Sequence, residues 1–156
     1  MYYDGRGVPQ DYAKAVAWYQ IAAELGLAEA QCNLSVMYYD GKGVPQDYAK
    51  AAAWCQKAAE QGDALAQRNL SVMFLKKEIG ENADVLYLNK RAVYWLEKAA
   101  AQNDATALYN LGCIYLDGME GVSADRTKAL DYLEKAKDLG HDEANRLYWK
   151  ALLFQY

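Results

Sequence analysis

Asparagine stands at positions 33, 69 and 110, each time inside a segment patterned for a helix. That is not a choice of helix propensity, because the short amide competes for backbone groups. An amide so placed has two uses. It can grip the backbone of a bound extended chain, or it can hydrogen-bond between neighbouring helices of the scaffold. Beside these asparagines stand Cys32, Arg68, Tyr109 and Arg146, which change in type from place to place. Constant amides with variable neighbours are what selective recognition needs. The candidate partner-binding set is therefore Asn33, Arg68, Asn69, Lys76, Tyr109, Asn110, Arg146 and Lys150. Four of these are basic, so the expected partner is a protein or peptide with acidic side chains or a free carboxylate.

Sharper chemistry is not assembled. Gly5-Arg6-Gly7 and Gly41-Lys42-Gly43 have the look of phosphate loops, but such a loop follows a strand and opens a helix. Here the glycines follow a helical pattern, and Asp40 beside one of them would repel phosphate. Asp40 and Asp47 do not have the spacing of a helix–loop–helix calcium site, and they read as helix-end residues. His141, the sole histidine, follows Gly140 and reads as a solvated loop residue. No nucleophile, base and orienting group stand together, so no catalytic residue, metal site or cofactor is expected. Cys32, Cys55 and Cys113 form neither a metal spacing nor a disulfide framework. If residues 28–40 and 48–61 form a helical hairpin, Cys32 and Cys55 lie equally far from its turn and could face each other. Two small buried or half-buried thiols is the simpler reading.

Composition narrows the partner. The chain has 156 residues, 53% of them apolar, a net charge of −4 and a pI near 5.0. An acidic chain is a poor match for nucleic acid, whose phosphates need a basic surface. No apolar run approaches the ~20 residues of a membrane helix, so membrane insertion is not expected. No targeting segment is legible, and the compartment stays open.

The elements that would position these residues repeat. Residues 1–36 and 37–72 differ at eight positions, among them Arg6/Lys42, Leu25/Gln61, Leu27/Asp63 and Cys32/Arg68. Degenerate third and fourth copies follow. Ala-x-x-x-Leu recurs at Ala30/Leu34, Ala66/Leu70 and Ala107/Leu111, and an aromatic at Trp18, Trp54, Trp95 and Tyr132. The aromatics are spaced 36, 41 and 37 residues apart, which puts the extra residues of the third copy within 74–88, a turn expected to bulge. Each copy holds two helical patterns, such as Ala30, Leu34, Met37 and Tyr38, then Ala51, Trp54, Cys55 and Ala58. Gly41, Gly62 and Asn103 stand where left-handed caps end helices, and Asp11, Asp47 and Asp125 where N-caps begin them. No alternation suggests a strand. Fixed-period helical pairs predict an all-α solenoid of stacked antiparallel helical hairpins. Trp54 and its equivalents are expected to fill the space between hairpins.

The stretch "AQCNLSVMYYDGKGVPQDYAKAAAWCQKAAEQGD" resembles the Sel-1-like repeat, a relative of the tetratricopeptide repeat. The matching elements are Ala-x-x-x-Leu, Tyr38, Gly41-x-Gly43-Val44, Asp47, Lys50-Ala51, Trp54 and Lys57-Ala58-Ala59. The third turn lacks Gly-x-Gly. The resemblance implies a right-handed α/α superhelix forming one domain over 1–156. Its units would be 1–27 (partial), 28–63, 64–104, 105–141 and a terminal helix at 142–156. It also implies a bacterial scaffold or adaptor rather than an enzyme, with a partner held in the concave groove. Two other readings stay open: a structural segment of a longer repeat protein, and a β-lactam-binding or β-lactam-hydrolysing enzyme, as suggested for cysteine-rich relatives. No serine or lysine here forms a nucleophile motif for the latter. Where cysteine-rich relatives pair cysteines between hairpins, this chain has Ala23/Gln31, Ala59/Gln67 and Ala100/Leu108.

Both ends carry apolar surface. Residues 1–4 read as the close of a helix whose beginning is missing, which would leave Ala15, Trp18 and Ala22 unpartnered. That suggests a fragment, or an end covered by another molecule. At the other end Ala144, Tyr148, Ala151 and Leu152 repeat the core stripe of a first helix. Trp149, Leu153 and Tyr156 fall on an adjoining face and Phe154 on the opposite side, an expected association surface for a homo-oligomer or a partner.

Overall fold

A computed structural model describes residues 11–78 and 84–153. Over these residues the chain forms eight helices: α1 Tyr12–Glu24, α2 Ala28–Asp40, α3 Tyr48–Glu60, α4 Ala64–Leu75, α5 Val85–Ala100, α6 Ala105–Asp117, α7 Arg126–Asp138 and α8 Asp142–Leu153. The only pairing of β type among them is an isolated bridge, Met119 with Val122. The helical stub expected at residues 1–4 lies outside the described residues. The chain divides into two compact units, Met1–Leu70 and Ser71–Tyr156.

In the first unit α2 packs against both α1 and α3. Leu34 and Met37 are sealed beneath Ala15, Val16, Ala23 and Ala30, with Trp54 against the cluster from α3. The alanines bring the helix backbones close, and the short turns make neighbours antiparallel. The second unit repeats the plan with α5, α6, α7 and α8. Its core gathers Leu96, Leu108, Leu111 and Leu133 around Ala99, Ala107, Ala129 and Ala144.

The helix ends follow the residues read as caps. Asp11, Asp47 and Asp125 accept hydrogen bonds from the backbone N–H groups of Lys14, Lys50 and Lys128 at 2.9–3.0 Å. The same bonds hold the Asp11 and Asp47 carboxyls below their ordinary range. Gly41, Gly62 and Asn103 all have positive φ. The first helices also carry caps that were not read from the sequence. Asp63 and Asp104 accept from the N–H groups of Ala66 and Ala107, and His141 Nδ1 accepts from Ala144 at 3.2 Å.

A buried glutamine ties successive hairpins. Gln31 Nε2 donates to the Ala23 carbonyl at 3.0 Å, and Gln67 Nε2 donates to the Ala59 carbonyl at 3.1 Å. These are the positions that hold cysteine pairs in cysteine-rich relatives. In the third copy Ala100 and Leu108 are both buried, so apolar contact replaces the polar tie. Gln61 Nε2 donates in turn to Gln31 Oε1 at 2.7 Å, satisfying a second site on a buried amide.

Two expectations about packing are corrected. The recurring aromatic is not uniformly core: Trp95 is 5% exposed but Trp18 is 62% exposed. Trp54 is half-buried because α1 and α2 lie beside it, and no described hairpin precedes α1 to do the same for Trp18. Leu152, read as core, is also exposed, whereas Ala144 and Ala151 are buried as expected. The long third turn is shorter than expected, because α5 begins at Val85 and runs 16 residues, three more than α1, α3 and α7. Asp84 caps it through Leu86 N–H, and Asn89 donates to the Glu120 carbonyl at 2.9 Å. Gly80 and Glu81, expected in the bulge, lie outside the described residues.

Candidate functional site

The accessible stripe of the first helices is present in each unit separately. In the first unit it comprises Glu29, Asn33, Val36 and Asp40 on α2, then Leu65 and Asn69 on α4. Glu29, Asp40 and Leu65 are exposed, while Asn33, Val36 and Asn69 are half-buried. In the second unit the stripe comprises Thr106, Asn110, Cys113 and Asp117 on α6; Val72 and Lys76, at the end of α4 and in its turn, also fall in this unit. The amides of Asn33, Asn69 and Asn110 make no hydrogen bond among the described residues.

Of the variable neighbours, Arg68 and Tyr109 are half-buried, and Arg146 and Lys150 are exposed on α8. Lys76 is exposed just beyond the end of α4. Cys32 departs from its reading: it is 2% exposed and offers nothing to a partner. Burial pushes its thiol up to about 12, Asp63 adding to the effect and Arg68 opposing it. Cys55 is also buried and also pushed up to about 12 by burial, and its Sγ donates to the Ala66 carbonyl at 3.2 Å. All three cysteines are free thiols. Phe154 and Tyr156 lie outside the described residues, while Trp149 and Leu153 are exposed.

His141 is the main correction. Its side chain is 14% exposed rather than solvated. The ring stacks on Tyr109, centroids 4.6 Å apart and planes 20° from parallel. Because Nδ1 accepts from Ala144 N–H, the neutral ring carries its proton on Nε2. Glu143 Oε2 lies 3.4 Å from the same Nδ1, and Glu143 Oε1 is 3.7 Å from Arg146 Nη2. Position 141 is the register equivalent of Asp63 and Asp104, a signal that was available in the sequence. It was missed because histidine is not an ordinary capping residue.

The Tyr109 and Cys113 side chains beside this ring are not activated as nucleophiles. The Tyr109 hydroxyl is hydrogen-bonded to Cys113, which raises the phenol, and burial raises the Cys113 thiol. A raised thiol is a poorer nucleophile, the reverse of what catalysis requires. No group of three or more His, Cys, Asp or Glu among the described residues could hold a metal ion. No described helix is long and apolar enough to cross a membrane. A direct check follows from these burials. Iodoacetamide at mildly alkaline pH should label Cys113 in the folded chain, and Cys32 and Cys55 only after denaturation. Peptide mass spectrometry reads the order, and equal native labelling of Cys55 and Cys113 would contradict the packing described.

Comparison with known proteins fits this architecture. The model of the Sel1 repeat matches residues 1–27, 28–63, 64–104 and 105–141. A protective antigen of uropathogenic Escherichia coli with an SLR fold superposes with a TM-score of 0.87 at 31% identity, over 95% of this chain and 31% of that one. A Sel1 repeat protein of Oxalobacter formigenes superposes with a TM-score of 0.86 at 32% identity, over 97% of this chain and 59% of that one. The chain thus spans about a third and about three-fifths of the lengths of these two relatives. No curated protein sequence matches it. Sel1 repeat proteins are generally protein-interaction scaffolds and typically not enzymes. With four repeats matched in tandem over residues 1–141 on an all-helical solenoid fold, the chain belongs to the Sel1 repeat family.

Proposed function

We propose that the chain is an interaction scaffold whose first helices hold an extended protein segment along the accessible stripe that each unit carries. The observation that carries this reading is the recurrence of Asn33, Asn69 and Asn110. Each amide is half-buried, and none makes a hydrogen bond among the described residues. A side-chain amide offers both a donor and an acceptor, the pair that a peptide backbone presents. Arg68 in the first unit, and Lys76, Arg146 and Lys150 in the second, add positive charge on or just beyond α4 and on α8. Tyr109, held flat by His141, adds a rigid aromatic contact. The preferred segment is acidic or ends in a free carboxylate.

A random peptide library displayed on phage and panned on the intact chain tests the proposal. The enriched peptides should be extended and acidic. Asn69→Ala should weaken the best of them at least about tenfold, the factor that 1.4 kcal/mol gives. Arg68→Ala and Arg146→Ala should do so mainly at low salt. Enriched peptides that bind these variants as tightly as wild type would remove the stripe as the binding surface.

A further inference from the structure

The first copy departs from the second in a direction the fold does not ask for. Three of their eight differences put an exposed apolar side chain where the second copy is polar, Ile21 for Lys57, Leu25 for Gln61 and Leu27 for Asp63, while Glu29 for Leu65 runs the other way. Lys98 and Lys135 keep the lysine in the later copies. Stacking does not explain the change, because Lys57 and Gln61 remain exposed with α1 and α2 preceding them. Asp63 caps α4 and Asp104 caps α6, whereas Leu27 gives α2 no side-chain cap. A cap given up with no gain inside the molecule marks a position shaped by something outside it. Together with Trp18, these three side chains are 53–76% exposed.

A second apolar face stands on α8, where Trp149, Leu152 and Leu153 share one side at spacings of three and four and are 42–70% exposed. An ordinary second helix would not cover it as α7 covers α6. The register position of Trp149 is Ser35 in α2, Ser71 in α4 and Gly112 in α6, all buried and all small. At Gly112 even a Cβ would lie 2.6 Å from Leu133 of the following helix. A tryptophan there excludes that approach.

The surroundings of the two faces are opposite in charge. From Ile21 to Ala30 the chain has Glu24 and Glu29 and no base. From Tyr148 to Leu153 it has Lys150 and no acid. Two further bases reach this end of α8 from α7: Lys137 lies over the rings of Tyr148 and Trp149, and Arg126 donates to the Ala151 carbonyl. Against them stand two acids of α7, Glu134 and Asp138, that pair with Lys137, so the balance here is one of excess positive charge rather than of bases alone. Like faces would oppose like charges, and unlike faces would pair them.

We propose that the chain associates head to tail with a second copy, the Ile21, Leu25 and Leu27 surface of one seating on the Trp149, Leu152 and Leu153 face of the other. Such a contact is heterologous, so each pair leaves one face of each kind free and growth continues beyond two unless a ring closes. The inference does not depend on the peptide-binding stripe.

Multi-angle light scattering across a concentration series tests it with two variants. I21K/L25Q/L27D writes the second copy's residues into the first, which the fold already accepts at those positions. W149S/L153Q removes the other face, and far-ultraviolet circular dichroism confirms that both variants keep their helices. Wild type should gain mass with concentration beyond a dimer, and less so in high salt. Each variant alone should self-associate at least tenfold more weakly. Their equimolar mixture should form a one-to-one dimer and nothing larger, since each supplies the face that the other lacks. A monomeric wild type, a variant that still self-associates like wild type, or a mixture that stays monomeric would overturn the proposal. The second outcome would mean that like faces pair.

Discussion

Gly43→Ala should destabilise the first unit by about 3 kcal/mol or more, from the left-handed backbone and overpacking combined. Gly43 has φ +74, and a Cβ added to it would lie 2.5 Å from both the carbonyl carbon and the oxygen of Tyr12. Those are backbone atoms at the start of α1, so no side chain can swing aside. The residue holds the α2–α3 turn against the preceding hairpin. Gly62 supplies a control within the same unit. Its φ is +94, but a Cβ there meets nothing within 4 Å. Gly62→Ala should therefore cost only the left-handed backbone, about 1–2 kcal/mol. Gly121 provides a further contrast in the second unit, because its Cβ would strike the tip of the Leu86 side chain, which can move. Urea unfolding followed by circular dichroism ranks the substitutions. Equal losses for Gly43→Ala and Gly62→Ala would show that the turn does not seat on α1.

The same comparison shows what a repeat sequence discloses. Helix ends were legible because capping is local: an aspartate at 11, 47 or 125 meets N–H groups three residues on, whatever the rest of the chain does. Positive φ at Asn103 was legible for the same reason. The unit plan was legible because a 36-residue period with two apolar helical stripes has few solutions other than stacked hairpins. Burial of the recurring aromatic was not legible in this way. Trp18 and Trp54 are identical in type and nearly identical in neighbours, yet Trp54 has α1 and α2 packed beside it and Trp18 has no described hairpin before it. Cys32 was misplaced by about a quarter-turn of helix, since its neighbour Asn33 is accessible while Cys32 is sealed. His141 was misread because its role depends on Tyr109, thirty-two residues away, and on a capping geometry that histidine supplies only as the neutral ring. Features fixed by the next few residues could be read, and features fixed by another hairpin could not.

Gly112→Trp should abolish cooperative folding of the second unit, with a loss above about 4 kcal/mol. The reason lies in the register that links Gly112 to Trp149. At Gly112, α6 passes close beneath α7, and Leu133 fills the gap completely, with no exposure of its own. A single Cβ would lie 2.6 Å from both Leu133 Cγ and Leu133 Cδ2. Leu133 is packed against Leu96, Leu111 and their neighbours and cannot withdraw without opening the core. An indole there must expel Leu133 or part the two helices, and either course gives up the burial that holds the unit together. The reciprocal change should be mild. Trp149 is about half-exposed and touches Tyr148 edge-on and Lys137 over its face. Trp149→Ser, which restores the residue type of Ser35 and Ser71, should cost about 1 kcal/mol, the worth of one partly exposed aromatic contact. Urea midpoints for the two variants decide the matter. If Trp149→Ser proved as damaging as Gly112→Trp, α8 would be a buried element of the core and its apolar face would not be free to meet another molecule. If instead only Gly112→Trp is lethal, one register position serves two kinds of surface: closed packing against α7 at Gly112, and an exposed aromatic face on α8 at Trp149.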